Sequence, residues 1–378
     1  MVLAFHSAVY VLPESPADTS WGDTNPALWF LSRGAFGVTI FFVISGYCIF
    51  AALDGTMRRG ATVIDFMKRR VTRIYPPFWA SLVLVFVVSA ALAAGGLSDL
   101  ITQHEQGFVS PPILSRVEWF TNLTLTHTWL PFVLGTYARG LNGVSWSLCY
   151  EEQFYFVCAL SLAFMPKRTY VIPLVVTAAV LVLAAVDLFR TAAIHEAVRG
   201  TFIGPKWLQF ALGGLLYYRL VRADGLWIPI LDGVVFAIPV SLAFLMVSTD
   251  ELRNLQWSNQ VFQLLVAASC TACLRLVRPH EPKLLAWLAR VRAYRPLRRF
   301  GEMTYSVYLV HAIVVSVITG MLRNVGMTST LDVLLVALPT CFVAATIVSA
   351  IFFRLVESRF LNAPSPAAIA APRYSLES

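Results

Sequence analysis

The sequence predicts an all-α integral membrane protein with about ten transmembrane helices, and three observations carry that prediction. Of its 378 residues, 58% are hydrophobic and only 13% charged, with a mean hydropathy of +0.70; a soluble domain of that length is far more polar. Apolar runs long enough to cross ~30 Å of hydrocarbon, at about 1.5 Å per residue, recur along almost the whole chain and leave no gap for a soluble module. The basic residues fall in short connectors between those runs, where they orient the spans.

Along the chain, spans are expected near residues 36 to 52, 76 to 96, 145 to 165, 170 to 188, 205 to 221, 226 to 247, 258 to 276, 303 to 321 and 331 to 353. One more apolar piece ends at Leu12, ahead of Pro13. Twelve residues of helix cover roughly 18 Å, so the first of the ten helices is expected to be truncated. If the span at 36 to 52 runs inward, 21 Lys and Arg residues fall on inner connectors and 8 on outer ones. That asymmetry puts both termini in the cytoplasm. The same parity puts residues 13 to 33 and 97 to 143 outside, the latter expected to fold partly over the membrane face. The organisation is one membrane domain over residues 1–360, followed by a disordered cytoplasmic tail over 361–378 that is rich in Pro, Ala and Ser.

Several function classes are excluded at this stage. The net charge is +8, but a nucleic-acid partner would need that charge gathered on a folded polar surface. The six cysteines lie in or beside apolar runs and form no secreted disulfide framework. The C-x-x-C spacing of Cys270 and Cys273 falls in mid-span, so packing is the expected role and no metal is expected. No phosphate loop and no dinucleotide fingerprint is present, so ATP-driven or hydride chemistry has no support. Asn122-Leu123-Thr124 is a formal glycosylation sequon that carries no weight here.

Ionisable groups in or at the ends of spans are the informative ones, because burying them is costly. His6 stands in the short first helix, where an imidazole can take a hydroxyl proton or carry an acyl group briefly. Gly34, Gly37 and Gly46, in "GAFGVTIFFVISGYCIF", let a neighbouring helix or a thin ligand approach the backbone. Arg70 and Arg73 share a helix face just before Pro76, where they suit either phosphate groups or lipid headgroups at an inner surface. In "VSWSLCYEEQFYF" Glu151 and Tyr155 are four apart and can meet, while Glu152 points about 100° away. One carboxylate is expected to orient an imidazole or to bind a sugar hydroxyl. His311 lies inside a later span, in "GEMTYSVYLVHAIVV".

Taken in order, these stretches resemble the membrane-bound acyltransferase family 3, whose members acylate hydroxyls, mostly on sugars. The first-span histidine is followed by a glycine and aromatic run matched by Gly34, Gly37, Val38, Phe41, Phe42, Val43, Ser45, Gly46 and Tyr47. An R-x-x-R element matches Arg70 and Arg73, and W-S-L-x-x-E-x-x-F-Y matches Trp146, Ser147, Leu148, Glu151, Phe154 and Tyr155. A last element matches Thr304 (in place of Ser), Tyr305, Tyr308, Leu309 and His311. The family pattern also carries an arginine ten residues before the histidine, whereas Met1 stands only five before His6. The missing arginine and the short first helix both imply a chain that starts inside the first span.

The resemblance implies a multi-pass enzyme of the bacterial inner membrane. It would move an acyl group, acetyl in the usual case, from cytoplasmic acyl-CoA to a hydroxyl of a glycan, lipid-linked sugar or secondary metabolite. Acyl-CoA is then a co-substrate, no cofactor is held permanently, and membrane lipids surround the protein. His6 and Glu151 are the catalytic candidates. Arg70 and Arg73 would hold the CoA phosphates, Gly37, Ser45 and Gly46 would line the path of its pantetheine arm, and Trp146, Tyr155, Tyr305 and His311 would contact or support the substrates. The rival readings are a transporter or flippase, which the ends-only Asp187 and Asp232 and the lack of repeated halves do not favour, and an acyltransferase-like binder that has lost catalysis.

Overall fold

A computed structural model of the protein describes residues 1–12, 26–102, 114–136, 138–190, 200–223, 225–233, 257–277 and 294–361, with isolated positions between 280 and 291. Among the described residues the chain is helical and carries no strand. The tail over 362–378, the second half of the span expected at 226 to 247 and the side chains of Asp187 and Cys270 lie outside the described residues.

The helices are α1 (Val2–Val11), α2 (Pro26–Ser32), α3 (Gly37–Arg58), α4 (Val63–Ala94), α5 (Arg116–Leu123), α6 (Trp146–Phe164), α7 (Val171–Arg190), α8 (Pro205–Val221), α9 (Trp257–Val277), α10 (Tyr294–Glu302), α11 (Thr304–Asn324) and α12 (Leu338–Leu355). Their ends follow local chemistry. Leu12 is extended (φ −79°, ψ 138°), as a residue before proline prefers. Thr62 and Asp65 form a capping box that starts α4, and Pro205 opens α8 where a missing N–H costs nothing. A π-helical turn, Val333–Ala337, leads into α12.

Four helical runs are long and apolar enough to cross a membrane: Pro26–Arg58, Val63–Ala94, Thr304–Asn324 and Thr330–Arg359. Their outer faces confirm the environment they are built for. On α12, Val343, Ile347, Ile351 and Leu355 recur every fourth residue, each more than half exposed, an apolar stripe suited to lipid. The protein is a membrane protein.

Two sequence expectations are corrected here. Helix α4 starts at Val63, not at residue 76, and runs through Pro76 and Pro77 without a break. Pro77 is buried against the rest of the bundle, and in membrane helices such surroundings tolerate the lost backbone bonds. The second correction concerns residues 114 to 143, which do not fold over an end of the bundle. They lie against the middle of α4: the Trp79 indole N–H donates to the Leu123 carbonyl (3.0 Å), the Tyr75 hydroxyl oxygen lies 3.2 Å from the Thr124 carbonyl oxygen, and Asn142 donates to the Leu309 carbonyl of α11 (3.0 Å).

A segment of short helices and turns can sit at that depth only if its polar groups are satisfied by protein. Asn122, of the unused sequon, donates to the Glu118 and Arg139 carbonyls and accepts from the Leu141 N–H. Buried Glu118 caps α5 through Ser115 and pairs with Arg139 at 2.8 Å. The Arg139 guanidinium, helped by the Ser115 and Arg139 amides, holds the Glu118 carboxyl down to about 2 against the opposing effect of burial. Because the folded value is depressed, the pair contributes fully above the ordinary carboxylate range and is lost as pH falls from there towards 2. Melting curves in detergent should show wild type losing more stability than Glu118→Gln over that window; parallel pH profiles would remove the pair from the stability of the segment.

The closest helix crossing is α3 on α8. A Cβ on Gly46 would strike the Phe210 carbonyl, one on Gly213 the Val43 carbonyl, and one on Gly214 the Phe50 ring; small residues are what let membrane helices meet this closely. Helix α1 lies between the start of α3, α11 and α12, with Ala8, Val11 and Leu12 packed on Leu28, Leu31, Val333 and Ala337. One end of the bundle gathers basic side chains from three helices. Arg58 and Arg222 both pair with Asp54, and Arg219 and Arg275 both pair with Asp232.

Candidate functional site

The imidazole of His6 is turned into the bundle, between aromatic rings. Its centroid lies 5.3 Å from that of Phe5, 5.2 Å from Tyr10 and 5.5 Å from the ring of His311 on α11. The two histidines, 305 residues apart in sequence, are thus brought together. Nδ1 of His311 lies 2.9 Å from both the Val307 and Tyr308 carbonyl oxygens. A carbonyl only accepts, so Nδ1 carries the proton and Nε2 keeps a lone pair.

A row of tyrosines continues from that pair. The Tyr308 ring is 6.5 Å from His311 and stacks on Phe41 (5.9 Å) and on Tyr305 (6.2 Å). The Tyr308 hydroxyl donates to the Val144 carbonyl, which leaves Ser147 Oγ, 2.8 Å away, as donor in the other contact. The Tyr305 hydroxyl donates to the Ile74 carbonyl at 2.9 Å, beside Arg73. Ser306 is held by buried Glu357, which accepts from its backbone N–H (2.9 Å) and its hydroxyl and so caps the first turn of α11.

At the far end of the row stands a carboxylate cluster. Glu151 is buried, and its Oε1 accepts from both Ser45 (2.8 Å) and Tyr155 (2.5 Å). The meeting of Glu151 and Tyr155 follows from their spacing; Glu152 turns aside to accept from Tyr75 at 2.9 Å. The Arg70 guanidinium sits 5.5 Å from the Tyr155 ring and 5.9 Å from that of Phe66. Arg73 follows one turn on and is exposed. Among the described residues neither guanidinium has a carboxylate within ion-pair distance.

The remaining candidates are placed differently. No hydrogen bond joins Glu151 to His6 or His311, so it does not orient either imidazole. The room expected beside the glycines is filled by protein: Gly46 meets α8, Gly37 meets Val2, and Gly34 meets the Met1 carbonyl. These glycines serve helix packing, the plainer of the two sequence readings. Ser45 belongs to the Glu151 cluster. Trp146 packs edge-on to Phe42 and Tyr150, and Lys206 lies over both the Trp146 and Tyr150 rings at 5.3 and 4.8 Å. Lys206 and Glu357 escaped the sequence reading, since neither stands in a motif and only their packing reveals them. Among the described residues no group of three or more His, Cys, Asp or Glu could hold a metal ion.

The fold and these interior groups define a helical membrane protein with a buried polar site. A family model, that of the acyltransferase domain, matches residues 1–354, and the chain belongs to this family, acyltransferase family 3. It is an acyltransferase. The chain is similar to the exopolysaccharide production protein ExoZ of Rhizobium meliloti, 29% identical over 293 residues that cover 75% of this chain and 78% of that one. It is similar to the O-acetyltransferase OatA of Staphylococcus aureus, 24% identical over 306 residues, 75% of this chain and 46% of OatA, so it spans about half of that protein. Acyltransferase MdmB of Streptomyces mycarofaciens is 25% identical over 299 residues, 75% of this chain and 68% of MdmB. No solved structure matches the chain.

Proposed function

We propose that the protein moves an acyl group, acetyl in the first instance, from cytoplasmic acyl-CoA to a hydroxyl of a glycan, lipid-linked sugar or secondary metabolite. The observation that carries this reading is the row of interior side chains that runs from His6 to Arg70, with the exposed Arg73 one turn beyond. Two guanidiniums with no carboxylate at ion-pair distance among the described residues suit the phosphates of CoA, and the thioester supplies an activated acyl group without nucleotide hydrolysis. His6 engages the acceptor hydroxyl. The similarity to ExoZ, an exopolysaccharide production protein, and to OatA, an O-acetyltransferase, favours a glycan acceptor and an acetyl group.

The same proposal places the chain in a bacterial inner membrane as a multi-pass protein of about ten spans with both termini cytoplasmic. The grouping of Arg58, Arg219, Arg222 and Arg275 at one end of the bundle supports the basic side that this topology needs.

Turnover of [14C]acetyl-CoA by the purified protein, with envelope glycan from cells deleted for it as acceptor, tests the reading. Label on the glycan supports it, and binding of glycan with no transfer sinks it. Arg70→Ala and Arg73→Ala should each raise the apparent KM for acetyl-CoA about 10- to 150-fold, the loss of one charge-assisted contact of roughly 1.5–3 kcal/mol. Unchanged acetyl-CoA kinetics in both variants would return the arginines to membrane anchoring.

A further inference from the structure

Among the described residues, two imidazole nitrogens on neighbouring rings of the interior have no hydrogen-bond partner. Nδ1 of His6 and Nε2 of His311 are both shut off from the surface and lack a hydrogen-bond partner, while their rings stand 5.5 Å apart. His311 as a whole is only 3% exposed. A buried polar atom left unpaired is costly, and such atoms persist mainly where function uses them. Two on neighbouring rings are accounted for together if one small polar group bonds to both. A hydroxyl does, because its oxygen accepts one hydrogen bond while its proton donates another.

The two rings are not equivalent. The Val307 and Tyr308 carbonyls fix the proton of His311 on Nδ1, so its Nε2 presents a lone pair whatever His6 does. His6 has no such anchor on Nδ1. The histidine with the fixed tautomer is therefore the one prepared to receive a proton.

We infer that His311 is the general base of the transfer, and that the acceptor hydroxyl binds between His311 Nε2 and His6 Nδ1. This rests on the acyl-CoA reading above. The hydroxyl proton passes to His311 Nε2 as the hydroxyl oxygen bonds to the acyl carbon. The bond from that carbon to the CoA sulfur breaks, and the departing thiolate takes up the proton that His311 releases. His6 holds the hydroxyl oxygen in line. Both imidazoles end as they began.

His311→Asn separates this role from a structural one. The Asn amide N–H stands near the position of Nδ1 and can still donate to the Val307 and Tyr308 carbonyls, but nothing replaces Nε2. With [14C]acetyl-CoA and glycan from deleted cells, the expected result is a normally eluting protein whose kcat falls about 100-fold or more. Its KM for acetyl-CoA should stay within about threefold of wild type. His311→Ala, which opens room at the ring position, should regain part of its turnover on addition of imidazole. Near-normal kcat in His311→Asn, a defect confined to KM, or no imidazole rescue of His311→Ala would overturn the inference while leaving the acyl-CoA reading in place. A wild-type protein that transfers no label from acetyl-CoA would overturn the donor reading, and this inference with it.

Discussion

His6→Ala is expected to abolish acyl transfer while expression and elution stay normal. The stability side of that expectation follows from the surroundings of the ring. His6 touches Phe5, Tyr10 and His311 by ring contacts, and its Nδ1 has no hydrogen-bond partner. Truncation therefore strands no donor or acceptor. It removes packing from a helix whose buried face is carried by Ser7, Ala8, Tyr10 and Val11. The catalytic side is larger, because without the His6 ring nothing holds the acceptor oxygen in line, and misplacing a reacting atom costs about 10²-fold. Labelled acceptor should fall to background in membranes that contain as much protein as wild type. Acceptor modification near the wild-type level would take His6 out of the mechanism.

Most of the architecture was legible because membrane helices announce themselves by length and composition. The segments expected at 36 to 52, 145 to 165, 170 to 188, 205 to 221, 258 to 276 and 303 to 321 are the helices α3, α6, α7, α8, α9 and α11, with α3 running six residues further, and of these α3 and α11 lie in runs long and apolar enough to cross a membrane. The start of α4 was not legible. Pro76 reads as a boundary in any local pattern, and only the packing of Pro77 and its neighbours shows that the helix continues. The placement of residues 114 to 143 was hidden for a related reason. Parity assigns a polar stretch to one side of a membrane, whereas its depth depends on whether Asn122, Glu118 and Asn142 find protein partners.

The site divides in the same way. Spacing on one helix foretells Glu151 with Tyr155, because residues four apart share a face. Contacts between distant helices have no such signature. His6 with His311 and Ser45 with Glu151 come from folding alone. The glycines show the limit of reading one residue type: Gly46 has the same meaning in sequence whether a ligand or a helix fills its space, and here the Phe210 carbonyl fills it.

Glu151 is where the second large effect is expected, and there stability dominates. Its Oε1 receives the Ser45 hydroxyl from α3 and the Tyr155 hydroxyl from α6, both in the interior. Glu151→Ala strands both donors, at about 1–3 kcal/mol each, and leaves a cavity between the two helices. Against a total stability of about 5–15 kcal/mol that is a large fraction. Glu151→Gln should be far milder, since an amide oxygen has two lone pairs and can accept both hydroxyls, although without the charge each bond is weaker. Thermal melting in detergent should therefore rank wild type above Glu151→Gln and Glu151→Ala well below both. Equal losses in the two variants would mean that the negative charge beside Arg70, not the acceptor geometry, holds α3 to α6.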